Sequence, residues 1–115
     1  MAHPFVFINT TAVKEGQVEA WTKSFEEFAT YIRSHEPRLL HFATYLDDTG
    51  TEETVVQVHP DAESMLFHLG LLAEHGHASG DYLDFTRSRS QIYGAPSDEL
   101  LEAIKRFGIP VTLST

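Results

Sequence analysis

The chain has 115 residues, 42% hydrophobic and 11% aromatic, a length that suits one domain with a modest core, and its eight phenylalanines exceed what a disordered acidic segment carries. Seventeen acidic against eight basic side chains give a formal charge of -9, which opposes nucleic-acid phosphates and anionic lipid. The absence of cysteine excludes disulfides, thiolate nucleophiles and sulfur-ligated zinc.

The opening MAHPFVFINTT lacks the charged and long apolar regions of an export signal, and no apolar run reaches the roughly 18 residues of a membrane span. A cytoplasmic protein that binds neither nucleic acid nor membrane is expected. PFVFINTTAV is rich in β-branched and aromatic residues, with Phe5, Phe7 and Asn9 on one face and Val6, Ile8 and Thr10 on the other. That predicts a strand covered on both faces. After the turn KEG, Val18, Trp21, Phe25, Phe28, Ala29 and Ile32 recur at spacings of three and four, opposite Glu19, Lys23, Glu26 and Glu27, as in an amphipathic helix. HEP ends it, since Pro37 disfavours helical geometry at Glu36.

RLLHFATYL predicts a second strand, DDTG a turn, and EETVVQVH a third strand at hairpin distance. Pro60 and Asp61 open a second helix, with Asp61 as its cap and Glu63 favourable to its dipole, and Gly76 ends it. DFTRSRSQIYG predicts a fourth strand. Ser97 caps a third helix, DELLEAIKRF, Gly108 supplies its stop, and IPVTLS is a short last strand that Pro110 assigns to an edge or an irregular pairing.

This order suits a ferredoxin-like α+β domain over residues 1–115, an antiparallel sheet with helices on one face plus an extra C-terminal helix and strand. Helices can cover only one face, so the apolar groups on the other predict a second copy packed sheet to sheet.

HPDAESMLFHLGLLAEHGHASGD holds four of the seven histidines. At about 100° per residue, Met65, Leu69, Leu72 and Ala73 form the apolar stripe, and His68 and His75 share a flank with Ser64 at the edge of the core. Phe67 and Leu71 lie near the outward face and need cover from a pocket wall, a loop or a second subunit. Residues seven apart stand about 10 Å apart along a helix axis, too far to share one ion, so no metal is expected.

A neutral imidazole facing the sheet can take a proton from an acidic phenol or enol, which makes His68 or His75 a candidate base. The simpler reading of either is a boundary histidine bonded to backbone or water. Asn9 is a pocket donor or a group satisfied within the sheet. His41, Tyr45 and His59 are expected to place polar tips on one sheet face, most simply as dimer packing. Arg87 and Arg89, sharing a face with Phe85 and Tyr93, either hold a ligand's carboxylate or phenolate or pair with surplus carboxylates. No nucleophile elbow and no glycine-rich phosphate loop is present.

FVFINTTAVKEGQVEAW, PRLLHF, TVVQVHPDAESMLFH and IYGAPSDELLEAI together resemble the antibiotic-biosynthesis-monooxygenase family of dimeric α/β barrels, most closely up to about Gly80. The resemblance implies a homodimer with a pocket between sheet and helices in each protomer. It implies a cofactor-independent monooxygenase-like activity, with no cofactor, on a small planar aromatic or polyketide-like substrate. His68 or His75 would take a proton, Asn9 would polarise the anion, and Phe5, Phe7, Phe67, Leu71, His77 and Arg87 would contact the ligand. A haem-degrading branch uses an asparagine on the first strand with a tryptophan and a histidine on the second long helix. Asn9 and His77 or His75 match, but ten residues before His77 stands Phe67, and the one tryptophan, Trp21, is in the first helix. Haem opening is therefore not expected. The alternative is a non-catalytic ligand-binding or structural dimer of the same fold.

Overall fold

The structure is a computed structural model that describes residues 4–75, 79–94, 96–106 and 111–114, with backbone only for His75, Ser79 and 111–114. Its elements are β1 (Phe5–Val13), α1 (Val18–His35), β2 (His41–Leu46), β3 (Glu52–His59), α2 (Ala62–His75), a short 3-10 turn (Ser79–Asp81), β4 (Leu83–Tyr93), α3 (Asp98–Arg106) and β5 (Val111–Ser114). The strands form one sheet in the order β2-β3-β1-β4-β5. The first four pair antiparallel and β5 runs parallel to β4 on the edge. This is the expected ferredoxin-like α+β arrangement with a third helix and a last strand added.

Local chemistry accounts for the joints. Gly16, at φ 78°, makes the turn into α1, a left-handed conformation that a side chain would strain. Asp47 closes the β2–β3 turn by accepting from the Thr51 and Glu52 amides. Asp61 Oδ1 accepts from the Ser64 amide and Ser97 Oγ from the Leu100 amide, so both predicted caps are made. β2 starts at His41 and not at Arg38, because the preceding residues form a turn. The Leu39 amide donates back to Glu36 O, and Arg38 is paired with Asp61.

The core has two parts. Trp21, Phe25, Phe28, Ala29 and Ile32 of α1 pack with Phe42, Leu71 and Leu83, as the helix periodicity predicts. Phe5, Phe7 and Ile92 of the sheet pack with Met65 and Leu69 of α2 and with Leu100 and Ile104 of α3. The face that α2 buries differs from the expectation. Leu71 is buried and Ala73 exposed, because Leu71 joins the α1 cluster and the buried arc shifts to Ser64, Met65, His68, Leu69 and Leu71. Phe67 does lie outward, 54% exposed.

Candidate functional site

Strand register sorts the side chains into two faces. Phe5, Phe7, Asn9 and Thr11 of β1 share a face with Ser88, Ser90 and Ile92 of β4, with Glu53, Val55, Gln57 and His59 of β3, and with Phe42 and Thr44 of β2. Phe5, Phe7, Ile92 and Phe42 belong to the helix-packed clusters, so this is the inner face. β3 therefore turns Glu53, Gln57 and His59 inward and Val56 and Val58 outward. That inverts the usual alternation, in which the covered face takes the apolar residues. Buried polar groups are costly unless hydrogen-bonded, so each inward one needs a partner or a purpose.

At one end of the inner layer, His68 of α2 donates from Nδ1 to Glu36 Oε2 across 2.6 Å, with side chains 1% and 2% exposed. Glu36 follows the last turn of α1, where its amide caps by donating to Ile32 O. The His68 ring stands edge-on to Phe42 at 5.2 Å and to His59 at 5.9 Å between centroids. His59 donates from Nε2 to Gln57 Oε1 at 2.9 Å and accepts at Nδ1 from Ser64 Oγ at 2.8 Å. These partners fix a neutral tautomer. Burial, reinforced by His68 and opposed by Asp61, holds the His59 imidazole down at about 3.

Glu36 Oε1 is buried with no hydrogen-bond partner among the described residues. Glu36 also lines a cleft of about 280 Å³ with Arg33, Pro37, Leu39, Leu40, His41 and Phe42. The cleft is held in shape by Arg33, which donates to Phe42 O at 2.7 Å, and by the Leu40 amide, which donates to Val58 O.

Toward the other end of the sheet, Asn9, Thr11 and Ser88 close a ring of hydrogen bonds. Asn9 Nδ2 donates to Ser88 Oγ at 3.1 Å and to Ser90 Oγ at 2.6 Å, Thr11 Oγ1 donates to Asn9 Oδ1, and Thr11 and Ser88 share a 2.8 Å contact. Glu53, paired with Thr11 in register, is fully buried. Thr44 Oγ1 donates to its Oε2 at 2.7 Å, and its Oε1 has no partner among the described residues. Burial pushes this carboxyl up to about 7, against the lowering effect of the Thr44 bond.

The structure separates the expected site residues. Asn9 lies four positions along β1 from the Phe5–His59 pair, roughly 13 Å at ~3.3 Å per residue. Phe7 fills the space between. His68 is not at the edge of the core but inside it, because α1 and Glu36 close over that flank of α2. Phe5, Phe7 and Leu71 are core residues, while Phe67 and Arg87 are exposed. Arg87 lies in the irregular stretch of β4 between the Thr11–Ser88 and Ala12–Asp84 pairs, away from any of the other expected site residues in register, and Arg89 pairs with Glu52 at 3.1 Å. His41 and Tyr45 share the outer face, bonded at 3.0 Å, whereas His59 points inward, so these three do not meet. The His75 side chain and all of His77 lie outside the described residues. Glu36, Glu53 and Gln57 were not anticipated. The parity of β3 carried the signal for the last two, since Glu53, Gln57 and His59 alternate with Val56 and Val58.

No protein-family profile matches the chain, and no curated protein is similar to it. Solved structures are. MupZ from Pseudomonas fluorescens superposes with a TM-score of 0.79 at 20% identity, covering 100% of this chain and 88% of that one. A candidate antibiotic biosynthesis monooxygenase from Caulobacter crescentus CB15 gives 0.72 at 16% identity over 84% and 92%. A mutant of SnoaB, a cofactor-independent oxygenase from Streptomyces nogalater, gives 0.64 at 14% identity over 82% and 94%. At these identities the likeness is one of fold. The chain has the ferredoxin-like fold of antibiotic biosynthesis monooxygenase-like structures.

Proposed function

We propose that the protein is a cofactor-independent monooxygenase-like enzyme, a cytoplasmic homodimer acting on a small planar aromatic or polyketide-like substrate with an ionisable hydroxyl or enol. The observation that carries this reading is the buried His68–Glu36 pair in a fold shared with a cofactor-independent oxygenase. A desolvated imidazole–carboxylate pair is equipment for moving a proton, and its strength rises where water is excluded. Removing the hydroxyl proton gives an electron-rich anion that reduces dioxygen itself. For a reacting methylene, CH2 and O2 become C=O and H2O: one oxygen atom stays, the other leaves as water, and the substrate supplies the electrons. The outward Val6, Ile8, Val56 and Val58 support the homodimer, since they form an apolar patch on the sheet face opposite the helix-packed clusters, with no helix over it among the described residues.

Asn9 favours the second reading, a non-catalytic ligand-binding dimer. Its amide donors and its oxygen are already engaged with Ser88, Ser90 and Thr11, as in a group that only completes the sheet. Oxygen-electrode measurements with a panel of hydroxylated polycyclic aromatics separate the two. Under the first reading the wild type consumes dioxygen with at least one compound and His68→Ala does not. Binding of the panel without any oxygen uptake would establish the second.

A further inference from the structure

We infer that the cleft between the end of α1 and the start of β2 binds a phenol or enol, with Glu36 as the group that takes the hydroxyl proton and His68 as its positioning residue. This rests on the acid–base reading above and names the atoms that perform it. Glu36 Oε2 is held by His68, while Oε1 is buried and unpartnered in a residue that lines the cleft. An unmet buried carboxylate oxygen is destabilising by itself, and a ligand that brings a donor satisfies it. His68 is poorly placed to touch a ligand, because its Nδ1 is committed to Glu36 and its ring is packed against Phe42 and His59.

The walls select the ligand. Pro37, Leu39, Leu40 and Phe42 offer apolar surface, and Leu40 is 63% exposed at the rim. Arg33 brings a guanidinium. An ammonium ligand would be opposed by Arg33, a carboxylate ligand by Glu36, and a plain hydrocarbon would leave Oε1 unpaired. A planar ring with one neutral hydroxyl meets all three conditions. The volume of about 280 Å³ sits at the small end of ligand pockets, which suits one or two rings. The transfer conserves charge: the ligand O–H bond breaks, the proton moves to Oε1, the carboxylate becomes a carboxylic acid, and the new phenolate lies beside Arg33.

The test uses 4-nitrophenol, whose absorption distinguishes phenol from phenolate, at a pH where the free probe is neutral. With wild-type protein the bound probe is expected to absorb as phenolate. Glu36→Gln binds it within about threefold but leaves it neutral, and 4-nitroanisole, which has no hydroxyl, binds about tenfold more weakly, the loss of one hydrogen bond. His68→Gln, which can still donate to Oε2, keeps the phenolate spectrum and His68→Leu loses it. Glu26→Gln, on the exposed side of α1, behaves as wild type. If Glu36→Gln does not fold, amide NMR shifts of the native protein decide: the probe must move Arg33, Leu39, Leu40 and His41. Identical bound spectra in wild type and Glu36→Gln, equal binding of the ether, or shifts that spare these four amides would overturn the inference. Because the measurement needs no dioxygen, phenolate formation with this probe together with no oxygen uptake from any member of the polycyclic panel refutes the oxygenase reading alone. Oxygen uptake undiminished in Glu36→Gln refutes this inference alone.

Discussion

His68 on α2 and Glu36 at the end of α1, 32 residues apart in sequence, meet at 2.6 Å beneath the surface and tie the two helices together over the sheet. Removing one member of such a pair leaves the other buried and uncompensated, which costs about 3–5 kcal/mol. His68→Ala and Glu36→Ala are each expected to lose stability on that scale in urea unfolding. The double variant Glu36→Leu/His68→Met, which removes both polar groups, recovers most of it. Losses that simply add in a double-alanine cycle would show that the pair is not coupled.

Two buried groups give stability a pH signature. Glu53 ionises near 4.5 in the unfolded chain and at about 7 when folded. Its contribution is fully present below pH 4.5 and is lost as pH rises toward 7. His59 has an unfolded value near 6.5 and a folded value of about 3, so its contribution is fully present above pH 6.5 and is lost as pH falls toward 3. Between 4.5 and 6.5 the slopes oppose, each roughly 1.4 kcal/mol per pH unit at full effect. Relative to wild type, Glu53→Gln is expected to lose stability more steeply on acidification across that window, and His59→Gln more steeply as pH rises. Parallel stability curves for all three proteins would contradict both assignments.

Element positions were readable where one signal dominated. β3 runs over EETVVQVH as expected, and the caps at Asp61 and Ser97 are made by the predicted side chains. The interior was less readable, because a strand's alternation gives two faces without saying which is covered. In β3 the apolar Val56 and Val58 invite an inward reading, and only pairing with Phe5 and Phe7 shows that Glu53, Gln57 and His59 take that side. Glu36 reads as a polar residue ending a helix before proline. What buries it is His68, supplied from far along the chain. Leu71 went the same way, since its cover comes from α1 and lies outside the periodicity of α2.

The outer sheet face predicts association. Val6 pairs with Val58 and Ile8 with Val56 on the side away from the helices, flanked by the exposed Tyr45 and Tyr93. Sedimentation at micromolar concentration is expected to give a dimer. Val58→Asp or Ile8→Lys gives a monomer with the same circular dichroism. A wild-type monomer would remove the homodimer from the account.

Among the described residues, no group of three histidine, aspartate or glutamate side chains is placed to hold a metal ion. A chelator should leave the melting temperature unchanged, and added zinc should not raise it by binding the native state. Elemental analysis that finds one tightly held metal per chain, released by His68→Ala, would show the histidine-rich stretch to be a metal centre. With Phe67 exposed on α2 and no tryptophan on that helix, bound haem should keep its absorbance band when reductant is added.

The source of the product's oxygen tests the proposed oxygenase chemistry most directly. Metal-free protein is supplied with a hydroxylated aromatic that it consumes, under oxygen-18 gas in ordinary water, and the product is weighed by mass spectrometry. Direct reduction of dioxygen by the substrate anion predicts one labelled atom per product, one dioxygen consumed per turnover and no requirement for added reductant, with the rate abolished in Glu36→Gln. An unlabelled product, or uptake that depends on an added reductant or metal, would contradict it.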